Sequence, residues 1–204
     1  MKDIAEFLFT AAMLRRTPRS GLQFLGSGKE SVAEHVFQAM IAAYTLVKME
    51  HEKGIEVDEK KVLMLCLLHD MLESRTGDHN YVNKKYVSVD ESKALEDMCR
   101  PLFFGDEIKE LVTEFEEKNS VEAQLAADAD QLALIVLVKE QHDLGNPYAR
   151  KWLLVARQRL LTESGRSLGR SLDESDWAAW WFSKESNEWW VNGKVNGKVK
   201  GELD

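Results

Sequence analysis

Cysteine, proline and positive charge are all scarce in this chain, and each scarcity excludes something. Only two of the 204 residues are cysteines, Cys66 and Cys99, and they do not form a CxxC pair. Two are too few for a disulfide scaffold, so they read as core thiols in a reducing compartment. Three prolines and 12 glycines rule out a collagenous, linker-rich or disordered chain. Lys and Arg number 27 against 35 Asp and Glu, a formal charge of −8, which speaks against nucleic-acid polymers or acidic membranes as the main partner. Long apolar runs are missing too. The longest, 62–68 and 132–138, fall far short of the ~20 residues of a membrane span. The first six residues carry acids where a secretory signal would carry a basic stretch and then an apolar core. A soluble cytoplasmic protein is the expectation.

What is present is helical periodicity, with 44% hydrophobic residues to bury. Ile4, Phe7, Leu8 and Ala11 make the stripe of a first short helix. Ser31-Val-Ala-Glu34 is a capping box that opens a long helix ending near Gly54. Asp58 caps a third helix, whose inward stripe runs Val62, Leu65, Cys66, His69 and Leu72. Residues 75–88 read as a long polar loop, with amphipathic helices near 90–103 and 106–117. From Ser120 to about Asp143 the chain is apolar on nearly every side between Leu125 and Val138, the pattern of a central buried helix. Asn146-Pro147 supplies a cap and an N1 proline for a helix ending before Gly165. Ser171-Leu-Asp-Glu174 reads as a second capping box ahead of Trp177, Trp180 and Trp181. The expected fold is all-α: one helical-bundle domain over residues 1–185, then a polar, flexible tail over 186–204 with Val-Asn-Gly-Lys repeated.

The most informative dipeptide is His69-Asp70, at the end of the apolar run 62–68. Two polar side chains there need partners. Helical spacing puts His69 on the inward face, with Glu73 one turn on. Alone, the pair fits a capping or hydrogen-bonded core pair better than a ligand set. His35 adds a second histidine on an apolar-rich helix, and Asp128 and Asp130 are carboxylates inside the most hydrophobic helix of the chain. A buried carboxylate needs a cation, a metal or several donors. Imidazole and carboxylate together suit a divalent metal such as Mn, Co, Fe or Zn. Asp128 and Asp130 point about 200° apart on a helix, so only one can face such a metal.

The ordered set His35, His69-Asp70, Asp130 resembles the H…HD…D pattern of the HD-domain metal-dependent phosphohydrolases. The likeness extends to Ser31-Val-Ala-Glu-His35, to Cys66-Leu-Leu-His-Asp-Met-Leu-Glu73, to Gly77-Asp78 and to Ala129-Asp-Gln-Leu132. Upstream, Leu14-Arg-Arg-Thr-Pro-Arg-Ser-Gly21 is similar to the branch that includes the 5′-deoxynucleotidases. The resemblance implies an HD-type bundle around one divalent metal held by His35, His69, Asp70 and Asp130. It selects Asp130 over Asp128. It also implies Glu73 as the acid/base group, with Asp70 beside it in the catalytic machinery, Arg19 and next Arg16 on the phosphate, and Asp78 on the sugar hydroxyl. Similar enzymes carry a tryptophan shortly after the Arg19-like position. Here the run is Ser20-Gly21-Leu22-Gln23-Phe24, and the first aromatic is Phe24.

Among the remaining features, His79 stands beside Asp78 and is the other histidine to test for substrate contact. The tryptophan-rich end lacks interleaved basic residues, which favours packing against the domain or a partner copy over base stacking. The expected activity is hydrolysis of the 5′-phosphate of a nucleoside monophosphate, with a homodimer as the assembly. Two other readings stand beside it: hydrolysis of another phosphate ester (a nucleoside triphosphate, a cyclic nucleotide or a non-nucleotide), and an inactive metal- or nucleotide-binding regulatory module.

Overall fold

The computed structural model describes residues 1–182, and within them the chain is helical, with one isolated bridge between Pro18 and Ser31 in place of any strand. The tail expected over 186–204 lies outside the described residues. Helix α1 spans Lys2–Met13, α2 Leu22–Leu25, α3 Val32–Glu52, α4 Glu59–Leu68 and α5 Glu73–Thr76. After a loop with a 3₁₀ turn at Asn83–Lys85 come α6 (Glu91–Cys99), α7 (Gly105–Glu117), α8 (Val121–Asp143), α9 (Ala149–Gln158) and α10 (Glu163–Glu174).

Helix α8 is the axis. Ala123, Ala126, Ala129 and Ala133 keep its girth small, so α3 and α4 approach closely, while Leu125, Leu132, Ile135 and Val138 fill the space between. A second cluster joins α6 and α7 to the end of α1 and the start of α3 through Leu14, Val32, Met98 and Ile108. The caps expected at Ser31 and Asp58 form. Ser31 and Glu34 bond reciprocally, and the Asp58 carboxylate accepts the Lys61 N–H. Cys66 and Cys99 are buried free thiols.

Four local expectations need correction. In α1, Leu8 points outward, and Phe7 carries the packing, edge-on to the Phe104 ring with centroids 5.8 Å apart. Helix α4 stops at His69, and a tight turn, with the Glu73 N–H on the Asp70 carbonyl, leads into α5. Glu73 is therefore placed by a turn and a new helix, not by continuing the face of α4. Helix α9 starts at Ala149, because Asn146 and Pro147 form a turn in which the Asn146 side chain accepts the Tyr148 N–H.

The last correction concerns Gly165. It lies in the first turn of α10, capped by Thr162, and Ser171–Glu174 is that helix's final turn. Gly165 is there for clearance: a Cβ on it would stand 2.1 Å from the Asp128 carboxylate. Beyond α10, Trp177 and Trp181 pack edge to face at 5.9 Å and the Trp177 N–H donates to Asp143, whereas Trp180 is exposed.

Candidate metal centre

Three long helices bring His35, His69, Asp70 and Asp130 to one spot. His35 comes from the first turn of α3, fixed by the capping box; His69 and Asp70 come from the end of α4, and Asp130 from the middle of α8. His35 Nε2 lies 2.9 Å from Asp130 Oδ1 and 3.7 Å from Asp70 Oδ2. His69 Nε2 lies 3.2 Å from Asp70 Oδ2 and 3.9 Å from Asp130 Oδ1. Ligand atoms of His35, His69 and Asp130 all fall within 4.8 Å of one another.

The chemistry of this donor set demands a cation. His69 Nδ1 sits 2.7 Å from the Cys66 carbonyl, which can only accept, so that nitrogen carries a proton. In the neutral ring Nε2 then holds a lone pair. It is buried without a hydrogen-bond partner and faces two carboxylates. A lone pair against two anions is repulsive unless a positive charge stands between them. A proton can play that part: burial opposes a charge on His69, but Asp70 and Asp130 outweigh it and push the imidazole up to about 9. For Asp70, burial is outweighed by His69, Arg19 and His35; for Asp130, by the hydrogen bond and charge of His35, then His69 and Arg19. Both carboxylates are held below their usual range. Two imidazole nitrogens and two ionised carboxylates fit a divalent metal of the Mn, Co, Fe or Zn type.

Asp128 faces the other way. It is fully buried and its carboxylate accepts three bonds: the Leu161 N–H at 2.6 Å, the Thr162 N–H at 2.8 Å and the Thr162 hydroxyl at 2.6 Å. It latches the start of α10 onto α8.

Arg19 lies at the edge of the cluster, Nη1 3.2 Å from Asp70 Oδ2. Its loop is pinned to the segment after α5, because Asp78 accepts the Ser20 N–H at 2.6 Å and Asn80 donates twice to the Ser20 hydroxyl. Glu73 has one buried carboxylate oxygen without a partner. Burial first, then the charges of Asp70 and Asp78, push its carboxyl up to about 8. Arg16 is exposed on the turn after α1 and does not reach the cluster. His79 contacts the Thr76 carbonyl with Nε2 at 3.0 Å.

Two cavities flank these residues. One, of about 550 Å³, is lined by His69, Asp70, Glu73 and His79. The other, of about 410 Å³, starts at Arg19 and Asp78 and runs between α8 and α9. Its lining includes Glu30 and Trp152, which sequence reasoning missed. Trp152, Val155, Ala156 and Arg159 share one face of α9, and a face that mixes tryptophan, alanine and arginine is the available signal. Glu30 also stands 3.9 Å from the buried, otherwise unpartnered Nδ1 of His35.

Residues 11–161 match the family model described as HD domain. The chain is 31% identical over 148 residues to the 5'-deoxynucleotidase hdd1 of Schizosaccharomyces pombe, covering 68% of this chain and 72% of that one. It is 28% identical over 155 residues to the 5'-deoxynucleotidase HDDC2 of Bos taurus, covering 73% of each. Among solved structures, a conserved hypothetical protein from Pyrococcus furiosus superposes with a TM-score of 0.71 at 25% identity, over 84% of this chain and 99% of that one. A predicted metal-dependent phosphohydrolase from Magnetospirillum magnetotacticum shares the fold, with a TM-score of 0.66 at 21% identity over 85% of this chain and 90% of that one.

Proposed function

We propose, for a chain that belongs to the HD domain family and is a metal-dependent phosphohydrolase, that its substrates are the 5′-phosphates of deoxyribonucleoside monophosphates. The observation that carries this reading is the pairing of a cation-demanding cluster with Arg19, whose guanidinium stands between that cluster and a cavity of nucleoside size. His35, His69, Asp70 and Asp130 would hold one divalent ion. When bound, that ion supplies positive charge for the phosphoryl oxygens and lowers the pKa of an adjacent water.

The protein's own residues supply the rest. Arg19 exchanges part of its contact with Asp70 for the phosphate, which its planar fork grips through two oxygens. Glu73, whose carboxyl burial and the charges of Asp70 and Asp78 push toward its protonated form in the metal-free protein, is the acid/base group of this reading. As the water oxygen bonds to phosphorus and the P–O5′ bond breaks, Glu73 would deliver its proton to O5′ and then take up the proton that the attacking water gives up. Asp78, fixed by the Ser20 N–H, offers its free lone pairs to a sugar hydroxyl.

The relatives named 5'-deoxynucleotidases favour this substrate class over other phosphate esters. Retention of Glu73, which a purely structural metal site does not need, favours an active enzyme over a regulatory module. The assembly belongs to the same reading. Phe37, Ile41 and Tyr44 stand exposed along one face of α3, where a second copy would cover them, and light scattering should report a dimer. No helix among the described residues is long and apolar enough to cross a membrane.

The test is phosphate release by the metal-loaded protein across ribo- and deoxyribonucleoside 5′-monophosphates, with product analysis on the triphosphates. His69→Ala and Asp70→Ala should lose metal and activity while keeping a helical far-UV spectrum. Full activity in either variant, or pyro- or triphosphate as the main product, would refute the assignment.

A further inference from the structure

Arg19 and Asp78 lie at the neck of the 410 Å³ cavity, so a phosphate at the metal cluster can extend its nucleoside that way or into the cavity of about 550 Å³ on the other side. The two differ in chemistry. The larger cavity has aliphatic side chains too, among them Val87, Leu95 and Val112, beside His79, Lys84 and Glu116, but no phenyl, phenol or indole ring. The smaller has Leu134 and Leu137 of α8 on one wall, with the Trp152 indole and the Tyr81 ring lining it as well. An aliphatic wall together with an aromatic plate suits a flat heterocycle, which stacks on a π-face and loses little by leaving water.

The placement of Trp152 is built in. It packs against the main core cluster from the middle of α9, and its ring edge lies along the Arg19 loop. A Cβ added at Gly21 would stand 3.6 Å from its Cη2. The plate therefore sits two residues along the loop from the guanidinium that would hold the phosphate. Tyr81, its ring 5.9 Å from that of Phe24, stands exposed at the rim.

We infer that Trp152 is the platform for the nucleobase and the residue that makes the enzyme prefer a nucleotide to a bare sugar phosphate. This inference rests on the proposed reaction, deepens it by naming what reads the base, and adds a residue outside the metal cluster to the binding site.

The experiment compares kcat/KM for deoxyadenosine 5′-monophosphate with that for 2-deoxyribose 5-phosphate in the wild type, Trp152→Leu and Trp152→Phe. Both substrates are assayed on the same metal-loaded preparation, so the fraction of folded protein cancels from their ratio. The wild type should prefer the nucleotide. In W152L the ratio should fall about tenfold or more, through KM and not kcat, and W152F should keep most of it. An unchanged ratio in W152L, or a wild type that treats both substrates alike, overturns the inference and leaves the proposed reaction standing.

If the wild type releases no phosphate from the nucleotide, the reaction fails, but the platform is still decided by calorimetric titration with deoxyadenosine. Binding weakened about tenfold in W152L supports it, and equal binding, or none in the wild type, overturns it.

Discussion

Asp128 and Asp130 sit two residues apart on one helix with opposite assignments, and isosteric substitution separates them. In Asp128→Asn the amide must place a donor against either the Leu161 N–H or the Thr162 pair, all now within 2.8 Å of a carboxylate oxygen. One charge-assisted bond is lost, another donor meets a donor, and the site is too buried for water to compensate. At 1–3 kcal/mol for each unsatisfied buried group, the expected cost is roughly 3 kcal/mol. With a urea m-value of about 2 kcal/mol/M, the unfolding midpoint should drop by ~1.5 M. Asp130→Asn keeps an oxygen for His35 Nε2 but removes a charge that His35, His69 and Arg19 hold ionised, so its midpoint in EDTA should fall as well. Its metal affinity should fall about a hundredfold, while D128N binds metal at full stoichiometry. Urea melts in EDTA, paired with metal titration calorimetry, read both quantities. If folded D128N loses its metal, or D130N binds metal as tightly as the wild type, the division of labour is wrong.

Three further outcomes follow from the same geometry. Gly165→Ala drives a methyl group into the Asp128 carboxylate and should destabilise the protein by ~2–3 kcal/mol, measured as a lowered thermal midpoint; an unchanged midpoint would show that α10 does not rest on that group. Glu73→Gln should lower kcat by roughly a hundred- to ten-thousandfold with KM and metal content nearly unchanged, and a loss under tenfold would remove Glu73 from proton transfer. The third concerns pH in the metal-free protein. His69 is raised from 6.5 to about 9 and Glu73 from 4.5 to about 8, so both hold protons that the unfolded chain releases earlier. Stability should therefore be greater at low pH and fall as pH rises from 6.5 through 9, by roughly 3 kcal/mol for His69 alone. Metal affinity should run the other way, tightening about tenfold per pH unit as the ion displaces one proton, and calorimetry in buffers of different ionisation enthalpy counts that proton. A metal-free protein that gains stability over this range would contradict the sign.

The parts legible from sequence were those with a local cause. Capping boxes are short-range chemistry, so the starts of α3 and α4 were readable from Ser31 and Asp58. The same holds for α8, whose apolar run leaves no solvated face. Gly165 failed because glycine has two uses, ending a helix and letting another group come close, and only the partner distinguishes them; here the partner, Asp128, lies 37 positions back along the chain. Glu73 stands near His69 through a turn at the end of α4, which helical spacing in the sequence does not reveal. The absence of an aromatic beside Arg19 was visible in Ser20-Gly21, whereas the tryptophan that packs against Gly21 comes from α9 and leaves no trace in the local sequence.

The break after His69 divides the molecule's labour. The groups that would hold the ion stand on or at the ends of three long helices sharing one core, whereas Glu73 and Asp78 belong to a one-turn helix and the loop behind it. Such a segment opens at a lower free energy than the core. Heat should then silence the enzyme before it unfolds, with the ion still in place. Over evolutionary time the same division lets the reagent segment be rewritten for another ester while the cradle is inherited intact.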